Sequence, residues 1–211
     1  MRAPSIDGFK PGTRAAPLPE AVGEEMINKA ARGALQVSLA PALYPWRAVA
    51  LEGLEGLRAN SKVREGDVRR FASTALEAFC DRIERGMAKA VLPPGVGLWA
   101  REGKTTLAAF EPFIGPEALA QAAERLLEAY VSRASRGIGA VALPQGVDTW
   151  VAATRRAFTE LTPHAGEAAS AEQFVRVQQA ITARAVTGIE QAVLPGGVRL
   201  WEQVVQGLEA R

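Results

Sequence analysis

LPPGVGLW, residues 92–99, is the stretch that decides the fold, because the chain repeats it. LPQGVDTW follows at residues 143–150 and LPGGVRLW at residues 194–201, and a divergent copy, LAPALYPW, precedes them at residues 39–46. The four tryptophans that close these phrases are separated by 53, 51 and 51 residues. A fixed internal period of roughly this length is typical of repeat arrays in which each unit packs on its neighbours.

Two further positions recur in step with the tryptophans. A glycine lies thirteen residues before each tryptophan, and a bulky apolar residue lies twenty residues before it. The glycines are Gly33, Gly86, Gly137 and Gly188, and the apolar residues are Met26, Phe79, Tyr130 and Ile181. Correspondences without gaps over this span predict one structural unit that occurs four times.

Each unit is predicted to be a helical hairpin. Between Asp67 and Leu92, apolar residues recur every four positions with polar residues between them, which is the pattern of an amphipathic helix. The proline after Leu92 is expected to stop this helix, and Gly95 is expected to take positive φ and reverse the chain. Leu92 and Trp99 would then face each other across the turn, and a shorter helix would follow. In the fourth unit, Ser170 with Gln173 three residues later matches a capping box at a helix start.

The sequence therefore predicts an all-α fold, a tandem array of about four helical hairpins with a period of about 51 residues. Each hairpin consists of a long helix, the LPxGVxxW turn and a short helix. The array is expected to form a single domain over residues 21–211. Its repeats cover approximately residues 21–60, 61–114, 115–166 and 167–211.

Residues 1–20 are predicted to form an extended arm. They carry four prolines and two glycines and show neither a helical nor a strand period. If this arm is ordered, it packs on the body of its own chain or on a neighbour. Its apolar residues Ile6, Phe9 and Leu18 are the candidate anchors.

Composition excludes several classes of protein. The 211 residues are 48% hydrophobic and 23% charged, which is the balance of a globular protein, and the net charge of +2 does not by itself imply a polyanionic partner. Cys80 is the only cysteine and His164 the only histidine, so an internal disulfide cannot form and a Cys/His zinc site lacks ligands. The chain shows neither a membrane-spanning apolar run nor a signal peptide. We therefore expect no membrane partner, and a location in the cytoplasm or in a virion.

Three sets of residues invite a catalytic interpretation, and each has a simpler one. GKTT at residues 103–106 ends like a phosphate-binding loop, but the glycine required five positions earlier is Leu98. A solvated helix or loop is the favoured interpretation. His164 lies in the predicted loop after the third hairpin and is interpreted as a surface residue, and Cys80 as a packed thiol on a long helix. No enzymatic activity, cofactor or metal is predicted.

A ladder of basic residues is the one polar recurrence. Lys29, Arg82, Arg133 and Arg184 occupy one repeat position, and Arg32, Arg85 and Arg136 occupy another three residues later. One interpretation is that the first row pairs with carboxylates such as Glu77 or Glu128 on adjacent helices and covers apolar surface with its stems. The other is a basic groove for an acidic partner or nucleic acid. The first row, with Ile6, Phe9 and Leu18, supplies the candidate partner-binding residues.

The leading functional hypothesis is a non-enzymatic structural or assembly protein whose helical body and arm contact other subunits of an assembly. A viral particle or phage tail component is its most specific version. The alternative is a helical-repeat adaptor or nucleic-acid-binding module that uses the basic ladder. An enzyme would require a cleft lined by carboxylates from distant parts of the chain.

Overall fold

The computed structural model describes residues 16–209, which form eight α-helices and two single turns of 3-10 helix without a β-strand in that range. The α-helices are α1 (Glu20–Gln36), α2 (Leu43–Ala59), α3 (Glu65–Lys89), α4 (Pro93–Phe110), α5 (Pro116–Ala140), α6 (Pro144–Ala165), α7 (Glu167–Gln191) and α8 (Pro195–Glu209). The all-α prediction is confirmed. Ile6 and Phe9 lie outside the described residues.

The helices pack in two layers. Each odd-numbered helix packs on the even-numbered helix that follows it, so α1 packs on α2 and α5 on α6. Along one layer α3 lies between α1 and α5, and along the other α4 lies between α2 and α6. A continuous apolar core runs between the layers from Ile27 to Trp201.

The repeated LPxGVxxW phrase begins a helix. Helix α3 ends at Lys89, and α4 begins at Pro93, where the fixed φ of proline suits the first helical position. Gly95 lies inside α4, and the one glycine with positive φ in the described chain is Gly166, at 84°. The predicted glycine turn is therefore wrong. The chain reverses instead in the three residues 90–92, of which Ala90 and Leu92 have extended backbone.

The leucine before each proline points to solvent. The exposed fractions are 71% for Leu39, 67% for Leu92, 67% for Leu143 and 71% for Leu194. The predicted contact between this leucine and the tryptophan is wrong. Successive side chains of extended backbone point to opposite sides, and Pro93, the residue after Leu92, is the buried one.

Two other local predictions fail near the start of α7. The helix begins at Glu167 after Gly166, so Ser170 lies within the helix and donates its hydroxyl to the carbonyl of Gly166 at 2.7 Å. Ser170 is therefore not a helix cap. His164 lies half-buried in the last turn of α6, not in a loop. The positive φ of Gly166 allows α6 and α7 to follow each other with a single intervening residue.

Each recurring tryptophan packs on the recurring glycine of the helix before it. A Cβ atom built on Gly33, Gly86, Gly137 or Gly188 would lie 2.4, 2.2, 2.1 or 2.2 Å from the nearest indole atom. Such distances are far inside van der Waals contact, so only glycine lets the ring lie this close to the helix backbone. The two residues recur together because they form one contact.

We expect Gly137→Ala to destabilise the protein and Gly139→Ala, two residues later on α5, to stabilise it. Alanine ordinarily stabilises a helix by about 0.5–1 kcal/mol relative to glycine. At Gly137 the added methyl would overlap the indole of Trp150, which is 4% exposed, and overpacking costs about 1–3 kcal/mol. A Cβ on Gly139 meets no atom within 4 Å. Urea unfolding measures both changes, and a stabilised Gly137→Ala protein would contradict the contact.

Candidate functional site

Three arginines of the basic ladder join successive helix pairs. The Nε of each donates to a backbone carbonyl in the connection between the two helices of the preceding pair. These hydrogen bonds are Arg82 to Val37 at 2.5 Å, Arg133 to Ala90 at 2.7 Å and Arg184 to Val141 at 2.7 Å. Arg133 also donates through Nη2 to Val91 at 2.7 Å. Hydrogen bonds from a charged donor are among the stronger ones in proteins.

The same guanidinium groups stack on the recurring tryptophans. The Cζ atoms of Arg82, Arg133 and Arg184 lie 4.3, 5.0 and 4.4 Å from the ring centroids of Trp99, Trp150 and Trp201. A cation over an indole face is attracted by the negative face of the ring. Burial, with a smaller contribution from the charge of Arg85, lowers the pKa of Arg82, although an arginine remains charged. Each arginine therefore bridges its own tryptophan and the preceding helix pair.

The interpretation that this row pairs with carboxylates is wrong for these three arginines. Their acceptors are backbone carbonyls, and Glu128 instead pairs with Arg176 at 3.3 Å. Arg82 and Arg184 are buried, so little of their charge reaches solvent, although Arg184 Nη1 has no hydrogen-bond partner among the described residues. Lys29 holds the first position of the row on α1 and is exposed. A role for this row in partner binding stays a prediction.

The second row of the ladder faces solvent. Arg32, Arg85 and Arg136 are all exposed. Arg32 pairs with Glu25 at 2.7 Å, and Arg85 lies 4.0 Å from a carboxylate oxygen of Asp81. Exposed pairs of this kind contribute little to stability and leave both charges accessible.

The comparisons with known proteins identify no relative. No family model, curated protein or solved structure matches the chain. Its functional surfaces are therefore inferred from its own geometry.

Of the GKTT string, Gly103 and Thr106 are buried, whereas Lys104 and Thr105 are exposed. GKTT lies in the middle of α4, where the hydroxyl of Thr106 is buried and accepts from Arg47 Nη1 at 3.3 Å. Arg47 also pairs with Glu102 at 2.8 Å, so this cluster joins α2 to α4. In the described chain, no three His, Cys, Asp or Glu side chains are grouped so that they could hold a metal. No described helix has the length and apolarity needed to cross a membrane.

Cys80 is a buried thiol, as the sequence predicted. Its side chain has no exposed surface, and burial raises its pKa to about 12 from an ordinary value of 9.0. A thiol held in its neutral form is a poor nucleophile. The structure therefore gives Cys80 a packing role.

We expect Cys80 in the native protein to react with Ellman's reagent only when the fold opens. The reaction at pH 8 should be slow in buffer and fast in urea, because the unfolded thiol is accessible. A raised native pKa also means that the native state holds this proton more tightly, so stability should fall as pH rises from 9 towards 12. Ser61→Cys, at an exposed position, is the control that should react at once. Equal rates at both positions would contradict the burial of Cys80.

A strip of exposed apolar side chains, which we call the connection edge, lies outside the candidate residues that the sequence indicated. Ten of the fourteen large apolar side chains that are exposed in the described chain lie close to the connection within a helix pair. They are Leu35, Leu39, Tyr44, Val91, Leu92, Leu98, Leu143, Val193, Leu194 and Leu200. The recurrence of leucine before each proline is the signal in the sequence that points to this edge, although it also fits a core position. Exposed apolar side chains that cluster near one end of a fold mark an interaction site more often than a catalytic one.

Proposed function

We propose that this chain is a non-enzymatic structural or assembly protein whose helical body docks through its surface. The connection edge carries this proposal, because it places ten large apolar side chains in water on a protein that otherwise buries its core. A folded chain gains stability by burying such groups, so their retention at one edge favours a surface that a partner covers.

We further propose that the body is a tandem array of four helical hairpins with a period of about 51 residues. Equivalent contacts support this reading. Each tryptophan lies on the glycine of its own pair, and the arginines of α3, α5 and α7 each bond the connection of the pair before. Repeat arrays are stabilised by such contacts between nearest neighbours.

A role without catalysis is supported by what the reactive groups do. Cys80 is buried with a raised pKa, and Thr106 of the GKTT string is enclosed beneath Arg47. Their side chains stabilise the contacts between helices. The proposed partners are protein subunits, no cofactor is involved, and a viral particle or phage tail component in the cytoplasm or virion is the most specific form of the proposal.

The proposed arm, residues 1–20, is held to the body near its C-terminal end, at Leu18. Leu18 donates its amide to the carbonyl of Gly56 at 3.0 Å and accepts from Asn60 Nδ2 at 2.7 Å. Its side chain covers Gly56, where a Cβ would lie 2.4 Å from Leu18 Cδ1. Leu18 thus packs on its own chain. Ile6 and Phe9 are the residues that we propose reach a neighbouring subunit.

Sedimentation velocity tests the assembly proposal. The full chain is expected to associate as its concentration rises, and deletion of residues 1–15 should weaken association while leaving Leu18 on α2. Ile6→Ser with Phe9→Ser should reproduce the effect without shortening the chain, and unchanged circular dichroism would show that the body is intact. Monomers of both full-length and deleted chains at every concentration would remove the support for self-assembly through the arm.

The exposed row of Arg32, Arg85 and Arg136 favours the second candidate, an adaptor or nucleic-acid-binding module. Phosphate binding by such a row would weaken steeply as salt rises, because counterions are released on binding. Fluorescence anisotropy with single-stranded and duplex oligonucleotides tests it. Arg85→Gln with Arg136→Gln should reduce affinity, and unchanged affinity in that variant would remove this candidate.

A further inference from the structure

The connection edge is an ordered row. Hydrogen bonds from Arg82, Arg133 and Arg184 reach the connections at Val37, Ala90 and Val141, so each connection is held against the next helix pair. Packed helices lie about 8–10 Å apart. The four leucines that share one position in their connections are therefore spaced at about this distance, along a row roughly 25–30 Å long.

The row projects outward from the body. Leu92 and Leu143 are each 67% exposed, and Val193 is 94% exposed. Side chains this exposed stand at the tips of the helix pairs. The exposed leucines and valines of the connection edge thus form a projecting apolar ridge. A projecting apolar ridge can insert into the surface of a lipid bilayer, whereas a partner helix binds in a groove.

Cations lie one helical turn behind the ridge. Arg32, Arg85 and Arg136 each precede the last residue of their helix by four positions, about 6 Å along the axis. Arg85 follows Arg82 by three residues on α3, so the two share a helix face and Arg85 lies close to the guanidinium that bonds the first connection. Further exposed charges near this edge are the cations Lys89, Arg101 and Arg199 and the carboxylates Asp148, Glu190 and Glu202. With Glu25 and Asp81 beside Arg32 and Arg85, the cations near the ridge outnumber the carboxylates by one.

We propose that the connection edge binds the surface of a bilayer that contains anionic lipids. The leucines and valines of the ridge enter the boundary between headgroups and acyl chains, and the arginines one turn behind bind lipid phosphates. Surface-bound proteins bury their apolar face about 5–10 Å deep and gain affinity from basic residues near anionic headgroups. The expectation of no membrane partner rested on the lack of a spanning helix, which surface binding does not need.

Charge selects the bilayer over a second copy of the chain. Two copies joined edge to edge would bring their rows of arginines together, and like charges facing each other oppose association. A layer of lipid phosphates has the opposite charge. The assembly proposal rests on the same edge, so a bilayer and a protein subunit are competing occupants of it, and the variants below distinguish them.

Flotation of the full chain with vesicles tests the proposal. We expect the protein to float with phosphatidylcholine vesicles that contain phosphatidylglycerol, less with phosphatidylcholine alone, and less at high salt. Leu92→Ser with Leu143→Ser should lower partitioning at least tenfold, because each leucine contributes by its buried area. Arg85→Gln with Arg136→Gln should lower it about thirtyfold for the anionic vesicles only.

Val22→Ser with Val175→Ser is the matched control. These two side chains are 47% and 48% exposed in the first halves of α1 and α7, far along each helix from the connection edge, so their loss removes apolar surface without touching the ridge. Partitioning should be unchanged. An equal loss in the control, or no flotation with either vesicle, overturns the proposal.

A fluorescent label gives the orientation. Cys80 is buried and should stay unlabelled in the native protein, so Ser38→Cys in the first connection or Ser61→Cys between α2 and α3 supplies one reactive thiol. The fluorescence emission of an environment-sensitive dye at position 38 should shift to the blue on anionic vesicles, and that of the dye at position 61 should not.

If Leu92→Ser with Leu143→Ser instead abolishes self-association in the absence of vesicles, the occupant is a second copy and the lipid proposal is wrong. The assembly test on residues 1–15 involves no lipid and can fail independently.

Discussion

Trp150→Ala is expected to lower the free energy of unfolding by about 3–5 kcal/mol. The indole is 4% exposed, lies on the backbone of α5 at Gly137, and carries the guanidinium of Arg133 at 5.0 Å on its face. Removing it opens a cavity between α5 and α6. The backbone cannot close this cavity without moving one helix of the pair, so most of the lost packing should persist. Urea unfolding followed by circular dichroism measures the change.

A double-mutant cycle isolates the contact between Trp150 and Gly137. In the native background Gly137→Ala should destabilise, but in the Trp150→Ala background the methyl has room and should stabilise the helix by about 0.5–1 kcal/mol. The exposed neighbour Thr149 is the control, since Thr149→Ala should change stability by less than about 0.5 kcal/mol. If Gly137→Ala has the same cost in both backgrounds, the ring is not what excludes a side chain there.

The all-α fold was predictable from the sequence, and the recurring glycine and tryptophan mark where paired helices touch. Gly137 and Trp150 form a contact in which each residue type is required, so both letters recur at a fixed separation. The position of Pro93 was ambiguous, because a proline can follow the end of one helix or begin the next. The sequence marks a helix boundary near Pro93, but whether the proline ends α3 or begins α4 depends on how the two helices pack.

The direction of Leu92 could not be predicted for a related reason. Apolar residues usually lie inside, yet much of any protein surface is also apolar, so a leucine in a short connection has no periodicity that assigns it to the core. Four leucines at equivalent positions suggest four core contacts. Because Pro93 is the buried residue, the same recurrence produces an exposed ridge.

The arginine row was visible in the sequence, but its acceptors were not. Arg133 bonds the carbonyls of Ala90 and Val91, and every residue carries a carbonyl. Sequence patterns can reveal a cation paired with a recurring carboxylate, but they cannot reveal one paired with backbone. Carboxylates such as Glu128 are therefore the partners that the sequence suggests, although Glu128 contacts Arg176.

Arg133→Met is expected to lower the free energy of unfolding by about 1.5–3 kcal/mol. Methionine keeps much of the apolar stem, so the variant removes the charged hydrogen bonds to Ala90 and Val91 and the cation over Trp150. Arg133→Lys should recover part of the loss, because an ammonium can reach one carbonyl but lacks the planar fork that bonds two. Arg136→Met, one turn away at an exposed position, should change stability by less than about 0.5 kcal/mol.

The positions at which hydrogen exchange quickens show whether Arg133 joins two helix pairs locally or stabilises the whole fold. Arg133 holds the connection at residues 90–92, whereas Arg82 holds the connection at residues 37–39. Hydrogen exchange in Arg133→Met should therefore quicken at residues 90–92 and leave residues 37–39 unchanged under conditions where local opening dominates. Equal acceleration at both connections would show that Arg133 stabilises the fold as a whole. A change confined to residues 90–92 would show that each arginine secures the pair before it, which is what keeps the exposed leucines of neighbouring connections in one row.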